Sequence, residues 1–305
     1  MNAEIEWTEQ VKKVAANIRL RGFRYVMQNN GGYLSQICSS AEMLAYLYCR
    51  GMNLGPSTAP MIPEPFKGVP GEGRPYVSGA DYNGPKGPTL DRFIFSPAHY
   101  ALPLYVALIE VGRMAPEGLA EFNQDGSTVE LISAEHSPGA EVTSGSLAQA
   151  LSVAGGIALA RRMKGDTGNV WVMMSDGEFQ EGQTWEAVQA LANYKLDNIK
   201  VIVDVNEQQC DGPMESVMAI GSLEDKLNAF GAYAVDVDGH DIEAFDRLAQ
   251  TDTKGKPLFI LARTNPTKGV EIMETKRPTL HYLRFSSADE KASFQKAYDA
   301  MAQEV

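Results

Sequence analysis

A chain of 305 residues is long enough to bury a sizeable core, and 44% hydrophobic with 22% charged residues is the composition of a globular protein. The net charge of −12 argues against nucleic acid or an anionic membrane as the principal partner. The opening MNAEIEWTEQ lacks a basic segment followed by an apolar run, and no apolar stretch approaches the ~20 residues of a membrane span. Three widely separated cysteines, Cys38, Cys49 and Cys210, fit reduced thiols, so a cytoplasmic protein is the expectation.

Residues 6–28 repeat apolar positions every three to four residues, which predicts an amphipathic helix ending at the turn signal Asn29-Asn30-Gly31-Gly32. A second helix is predicted over Ser40–Cys49. Between 51 and 91 the density of Gly and Pro forbids a long helix or a central strand. A loop of that length is a lid, a contact surface or a plain surface excursion.

From residue 92 onward strands and helices alternate. Apolar, β-branched runs at 169–177, 198–206, 232–239 and 257–264 read as buried strands, separated by helical patterns at Ser146–Arg162, Gly182–Tyr194, Leu223–Phe230 and Ile242–Ala249. Strands buried on both faces and alternating with helices imply an α/β fold, a parallel sheet with helices on both faces. No repeat or linker divides the chain, so residues 1–305 are expected to form one domain carrying the Gly/Pro-rich loop at 51–91.

The stretch SDGEFQEGQTWEAVQALANYKLDNIKVIVDVNEQQCDG, residues 175–212, carries the chemistry. Asp176 follows one strand and Asn206 the next, 30 residues on, about the length of a strand–helix–strand crossover. Both side chains then arrive at one sheet edge, where oxygen donors suit Mg2+. Gly177 lets the backbone approach a phosphate closely, and the helix start beyond it favours an anion.

This stretch resembles the thiamine diphosphate motif, and in detail that of the transketolases. The family's Gly-Asp-Gly-Glu reads Ser175-Asp176-Gly177-Glu178, Glu181-Gly182 follows, and after Asn206 come four variable residues and Asp211-Gly212. The resemblance implies a thiamine diphosphate-binding fold, with Asp176, Asn206 and the Gln208 carbonyl as Mg2+ ligands and Gly177 and Glu178 among the cofactor-binding residues. DRFIFSPAHYALPLY (91–105) is similar to the family's Ser-x-x-His block, which makes His99 a contact to the diphosphate or the substrate. SPGAEVTSGSLAQALSVAGGIALA (137–160) resembles the segment whose backbone near Gly145 and Leu147 meets the aminopyrimidine, although the same residues also read as a small-residue helix packed on a sheet. TKGVEIMETKRPTLH (267–281) resembles the region ending in a histidine near the reacting carbon, so His281 is the second catalytic candidate. His240, in VDGHDIEAF, reads as structural.

The activity implied is transfer of a two-carbon ketol unit from a ketose to an aldose, with the cofactor as electron sink and neutral imidazoles moving protons. Three positions depart from the family. Tyr33 stands where it has a histidine, its second substrate histidine has no match beyond the displaced His136, and its Gly-Gln-Gly reads Ala148-Gln149-Ala150. These departures point to an atypical sugar. Nothing after His281 resembles the family's pyrimidine-binding domain. The resemblance therefore implies that this domain is supplied by a separate partner chain, with the cofactor bound across the interface and an α2β2 assembly. Two other readings remain open: the α subunit of a thiamine-dependent 2-oxo acid dehydrogenase, and a non-catalytic relative.

Overall fold

The computed structural model describes residues 3–304; Met1, Asn2 and Val305, the outermost residues of the expected domain, lie outside it. Helix α1 spans Ala3–Gln28 and is followed by a two-residue strand, β1 (Gly31–Gly32). Helix α2 covers Leu34–Tyr46 and runs on into a π-helical turn, Leu47–Gly51. It begins six residues before the predicted Ser40, for a physical reason. All of its residues are buried, so no apolar–polar period marks its start.

The central elements follow as β2 (Arg92–Phe95), α3 (Ala101–Glu110), α4 (Gln149–Lys164), β3 (Val170–Ser175), α5 (Gly182–Asn193) and β4 (Ile199–Val205). A small hairpin, β5 (Gln208–Gln209) and β6 (Gly212–Pro213), leads to α6 (Met214–Met218) and α7 (Leu223–Ala229). The chain closes with β7 (Tyr233–Asp238), α8 (Ile242–Ala249), β8 (Leu258–Arg263), β9 (Leu283–Arg284) and α9 (Ala288–Glu304). The four predicted long strands are present within a residue or two. The Gly31-Gly32 turn signal instead pairs with β9 as a short antiparallel ladder, a contact between chain segments far apart in sequence.

Five strands form one parallel sheet in the order β2-β3-β4-β8-β7. The chain advances across the sheet to β7 and then steps back to β8. A right-handed crossover in the reverse direction must pass over the opposite face. Accordingly α5 and α7 pack on one face, while α8 packs on the other with α1, α2 and α3. Along β3, Trp171 and Met173 join the first-helix layer and Val170, Val172 and Met174 the α4–α5 layer. Each fully buried Val, Leu, Ile or Phe side chain contributes about 1.5–3 kcal/mol, so the two-sided burial of these strands dominates the stability of the sheet.

The Gly/Pro-rich loop carries a single helical turn, Gly79–Asn83. That turn is tied to the segment after α3: Gly79 N donates to Glu135 O at 2.8 Å and Gly139 N to Gly79 O at 2.9 Å. Asn83 Nδ2 adds a bond to Gly139 O at 3.0 Å. Met61, Ile62, Phe66, Val69 and Tyr76 of the loop are exposed.

Candidate active site

The carboxyl ends of β3 and β4 bring Asp176 and Asn206 together, as their spacing predicts. Asp176 opens a short 3-10 turn (Asp176–Gln180) and is 2% exposed. Its Oδ2 accepts from Glu207 N at 2.7 Å, so the residue after Asn206 is clamped directly to Asp176. Burial, reinforced by the negative charge of Asp204, pushes the Asp176 carboxyl up to about 8. Asn206 Oδ1 accepts from Gln208 N at 2.9 Å, which shapes the backbone there into a tight turn.

Asn206 is in turn oriented from below. Its Nδ2 donates to Tyr100 OH at 2.8 Å and to Asp204 Oδ2 at 3.1 Å. Asp204, fully buried inside β4, also accepts from Ser39, Tyr100 and Thr264. A carboxylate buried in an apolar strand needs such a set of donors. They hold the Asn206 amide in one orientation, with Oδ1 turned away from the sheet interior. Ser39, Tyr100, Asp204 and Thr264 are absent from the sequence-based site, and only Asp204 carries a signal there: an acid within the otherwise apolar run VIVDV, residues 201–205.

Glu178 lies deeper than the sequence suggests. Its carboxylate is fully buried and accepts from Ser96 Oγ, Ser175 N (2.9 Å) and Ala148 N (2.9 Å). Ser175 Oγ adds a contact at 3.3 Å. Glu178 therefore joins the ends of β2 and β3 to the start of α4. Ala148 sits at φ 69°, the left-handed region in which glycine costs least, which is why α4 begins at Gln149 instead of Ser146. Gly145 and Leu147 lie just outside this bracket and are exposed.

Across the same edge stand two imidazoles. His99 follows β2 on a short helical turn and His281 precedes β9; their ring centroids are 5.3 Å apart. Burial, with His281 alongside, pushes His99 down to about 3, and burial lowers His281 as well. Both rings are therefore neutral near pH 7. Tyr33 packs edge-on against His281 at 5.7 Å and against Tyr282 at 4.9 Å. Gln36, from α2, reaches His281 with its side-chain amide.

The remaining histidines lie apart from this cluster. His136 stacks on Phe66 of the Gly/Pro-rich loop at 4.6 Å and pairs with Glu130 at 3.1 Å. His240 bridges Glu42 and Asn265 N, a structural arrangement.

The donors at this edge fit a hard cation. Among the described residues no three His, Cys, Asp or Glu side chains converge as a metal-binding group. The edge instead offers one carboxylate and one amide oxygen, hard donors of the kind that Mg2+ takes together with phosphate oxygens. A cation here would offset both the burial of Asp176 and its repulsion from Asp204. Beside it, Gln208 Oε1 is buried without a hydrogen-bond partner.

Comparison with known proteins agrees with this geometry. Residues 79–279 match the family described as transketolase, thiamine diphosphate binding domain. An uncharacterized transketolase family protein of Sinorhizobium fredii is 35% identical over 92% of this chain and 93% of its own length. An apulose-4-phosphate transketolase subunit from Phocaeicola vulgatus is 35% identical over 62% of this chain and 68% of its own. A 6-deoxy-6-sulfo-D-fructose transketolase subunit from Clostridium sp. is 30% identical over 80% and 81%. In fold, the transketolase of Leishmania mexicana superposes with a TM-score of 0.67 at 22% identity, covering 96% of this chain. This chain spans 45% of that structure's length. A parallel α/β sheet with Asp176 and Asn206 clamped at one edge, together with matches over most of the chain, makes this protein a member of the transketolase family.

Proposed function

We propose that residues 1–305 act as one domain, the diphosphate- and Mg2+-binding subunit of a two-chain transketolase-type enzyme. It transfers a two-carbon ketol unit from a ketose to an aldose. The observation that carries this reading is the Asp176–Glu207–Asn206 clamp at the edge of β3 and β4. Asp176, Asn206 Oδ1 and the Gln208 carbonyl hold Mg2+, and Gly177 leaves room for diphosphate oxygens. Backbone groups at Gly145 and Leu147 line the aminopyrimidine side, and the buried bonds of Glu178 keep that segment in place. Thiamine diphosphate, when bound, supplies the electron sink for carbon–carbon cleavage. His99 and His281, kept neutral by burial, are the catalytic imidazoles that bind the sugar and cofactor oxygens.

The second chain is a C-terminal, pyrimidine-binding transketolase subunit, in an α2β2 assembly. Relatives that bear the word subunit in their names support this arrangement. Their unusual sugars, together with Tyr33 in place of a histidine, favour an atypical sugar substrate. A cytoplasmic location fits the free thiols, and among the described residues no helix is long and apolar enough to cross a membrane.

The test is calorimetric titration of thiamine diphosphate with Mg2+ into this chain alone and with its partner. Binding should require or greatly strengthen with the partner. Asp176→Ala should weaken it at least about 100-fold, the upper range for disrupting a metal site's surroundings. A folded pair that fails to bind the cofactor would overturn the assignment, as would an Asp176→Ala complex of unchanged affinity.

A further inference from the structure

Gln36 lies inside α2, 3% exposed, and its side chain crosses to a residue 245 positions away. Its Nε2 donates to His281 O at 3.0 Å and sits 3.2 Å from His281 Nδ1. Its Oε1 accepts from Ser35 Oγ at 2.8 Å. These three contacts settle the amide orientation. A carbonyl oxygen only accepts, so the group facing His281 O is the NH2, and the Ser35 hydroxyl on the other side faces the amide oxygen. An amide NH2 donates two hydrogens and accepts none. The second therefore meets Nδ1 as an acceptor, which leaves the proton of the neutral ring on Nε2.

We propose that Gln36 is a positioning residue that fixes His281 as the Nε2–H tautomer, so that His281 offers the site a hydrogen-bond donor and not a base. The consequence for chemistry is polarity. With its proton on Nε2, the ring nitrogen that Gln36 does not engage, His281 stabilises an oxygen that carries or gains negative charge, on the diphosphate or on the sugar. It does not draw a proton from a hydroxyl. Tyr33, edge-on to the same ring, keeps it from rotating out of this bond. The metal site and the imidazole thereby share one support, because Ser39, one turn along α2 from Gln36, bonds the Asp204 that orients Asn206. The tautomer follows from the bonds alone, whereas its catalytic meaning rests on the function proposed above.

The direct test is long-range 1H–15N correlation NMR of the imidazole rings in the full chain near pH 8, with His281→Ala identifying the His281 signals. The wild type should show an unprotonated Nδ1 and a protonated Nε2. Gln36→Leu, which removes the donor and keeps an apolar packing volume, should release the lock and populate both tautomers. Gln36→Glu places an acceptor opposite Nδ1 and should move the proton there. A wild-type Nδ1–H, or the same single tautomer in all three proteins, overturns the positioning role; Gln36→Leu keeps the test decisive if Gln36→Glu does not fold. In the complex with the partner, Gln36→Glu should lower kcat roughly 100-fold with little change in KM, the scale of one lost charge-stabilising hydrogen-bond donor. An altered tautomer with unchanged kcat overturns the donor role. Loss of the function assignment would appear separately, as cofactor affinity indifferent to Asp176→Ala, with the NMR result standing.

Discussion

Glu178 concentrates more buried donors on one carboxylate than its place in a surface-like turn would suggest. Ser96 Oγ, Ser175 N and Ala148 N all end on it, from three different elements. Replacing it with alanine leaves each donor buried and unpaired, at about 1–3 kcal/mol per group. Glu178→Ala should therefore lose at least about 3 kcal/mol in urea unfolding. A loss below about 1 kcal/mol would mean that water or a shifted backbone replaces the carboxylate. The contrast with Asp176 shows how much of the site is legible in sequence. Asp176 and Asn206 can be paired because a crossover of 30 residues returns the chain to the same edge. The side chains that support them cannot: Ser39 meets Asp204 over 165 positions and Gln36 meets His281 over 245. Neither partner is marked by spacing, and a Gln or Ser in a helix is ordinary in composition. Glu178 shows the complementary limit, since a motif position does not say whether its carboxylate faces the cofactor or the interior.

Helix α2 is the element on which these contacts converge. Gln36, Ser39 and Glu42 recur every three residues and bond His281, Asp204 and His240 in turn, a polar stripe within a helix buried on all sides. The long strands are legible because apolar runs of their length, bounded by turn residues, have few alternatives. The start of α2 is not, because a helix without a solvent face has no period to read. The Gly/Pro-rich loop is legible as a loop, but its attachment is not. Gly79 anchors it against 135–139, where an added Cβ would fall 1.8 Å from Ser137 O and 2.6 Å from Ala140 O. Those are backbone atoms that cannot swing aside. Gly79→Ala should cost roughly 3 kcal/mol, the upper end of overpacking penalties. It should also raise hydrogen exchange through 135–148, the approach to Gly145 and Leu147. Loss of protection confined to the loop itself would show that the anchor does not reach the site.

At the scale of the whole chain, the helical layer is fastened to the far edge of the sheet through one buried ion cluster. Glu42 of α2 accepts from Arg19 of α1 and pairs with His240, at the turn between β7 and α8, at 3.0 Å. Asn265 N, just past β8, donates to His240 Nε2 at 2.9 Å, so the ring turns its Nδ1–H to Glu42. Arg19 also bonds Cys38 O at 2.9 Å. Burial by itself would raise the Glu42 carboxyl, but the bonds from His240 and Arg19 outweigh it and bring the group from 4.5 down to about 2. A shift of that size corresponds to about 3 kcal/mol of folding free energy. The sign follows from the direction. A carboxyl whose pKa is lower in the folded state contributes its full stability above the unfolded pKa and loses it as pH falls towards the folded one. The wild type should therefore keep this contribution down to about pH 4.5 and shed it between there and pH 2. Glu42→Gln keeps the shape and one acceptor but has no charge to titrate. Its urea midpoint should be lower than wild type at pH 7, and the two should converge as pH falls through that window. Parallel midpoints from pH 7 to pH 3 would place the acid-sensitive contribution elsewhere and leave the cluster as packing alone.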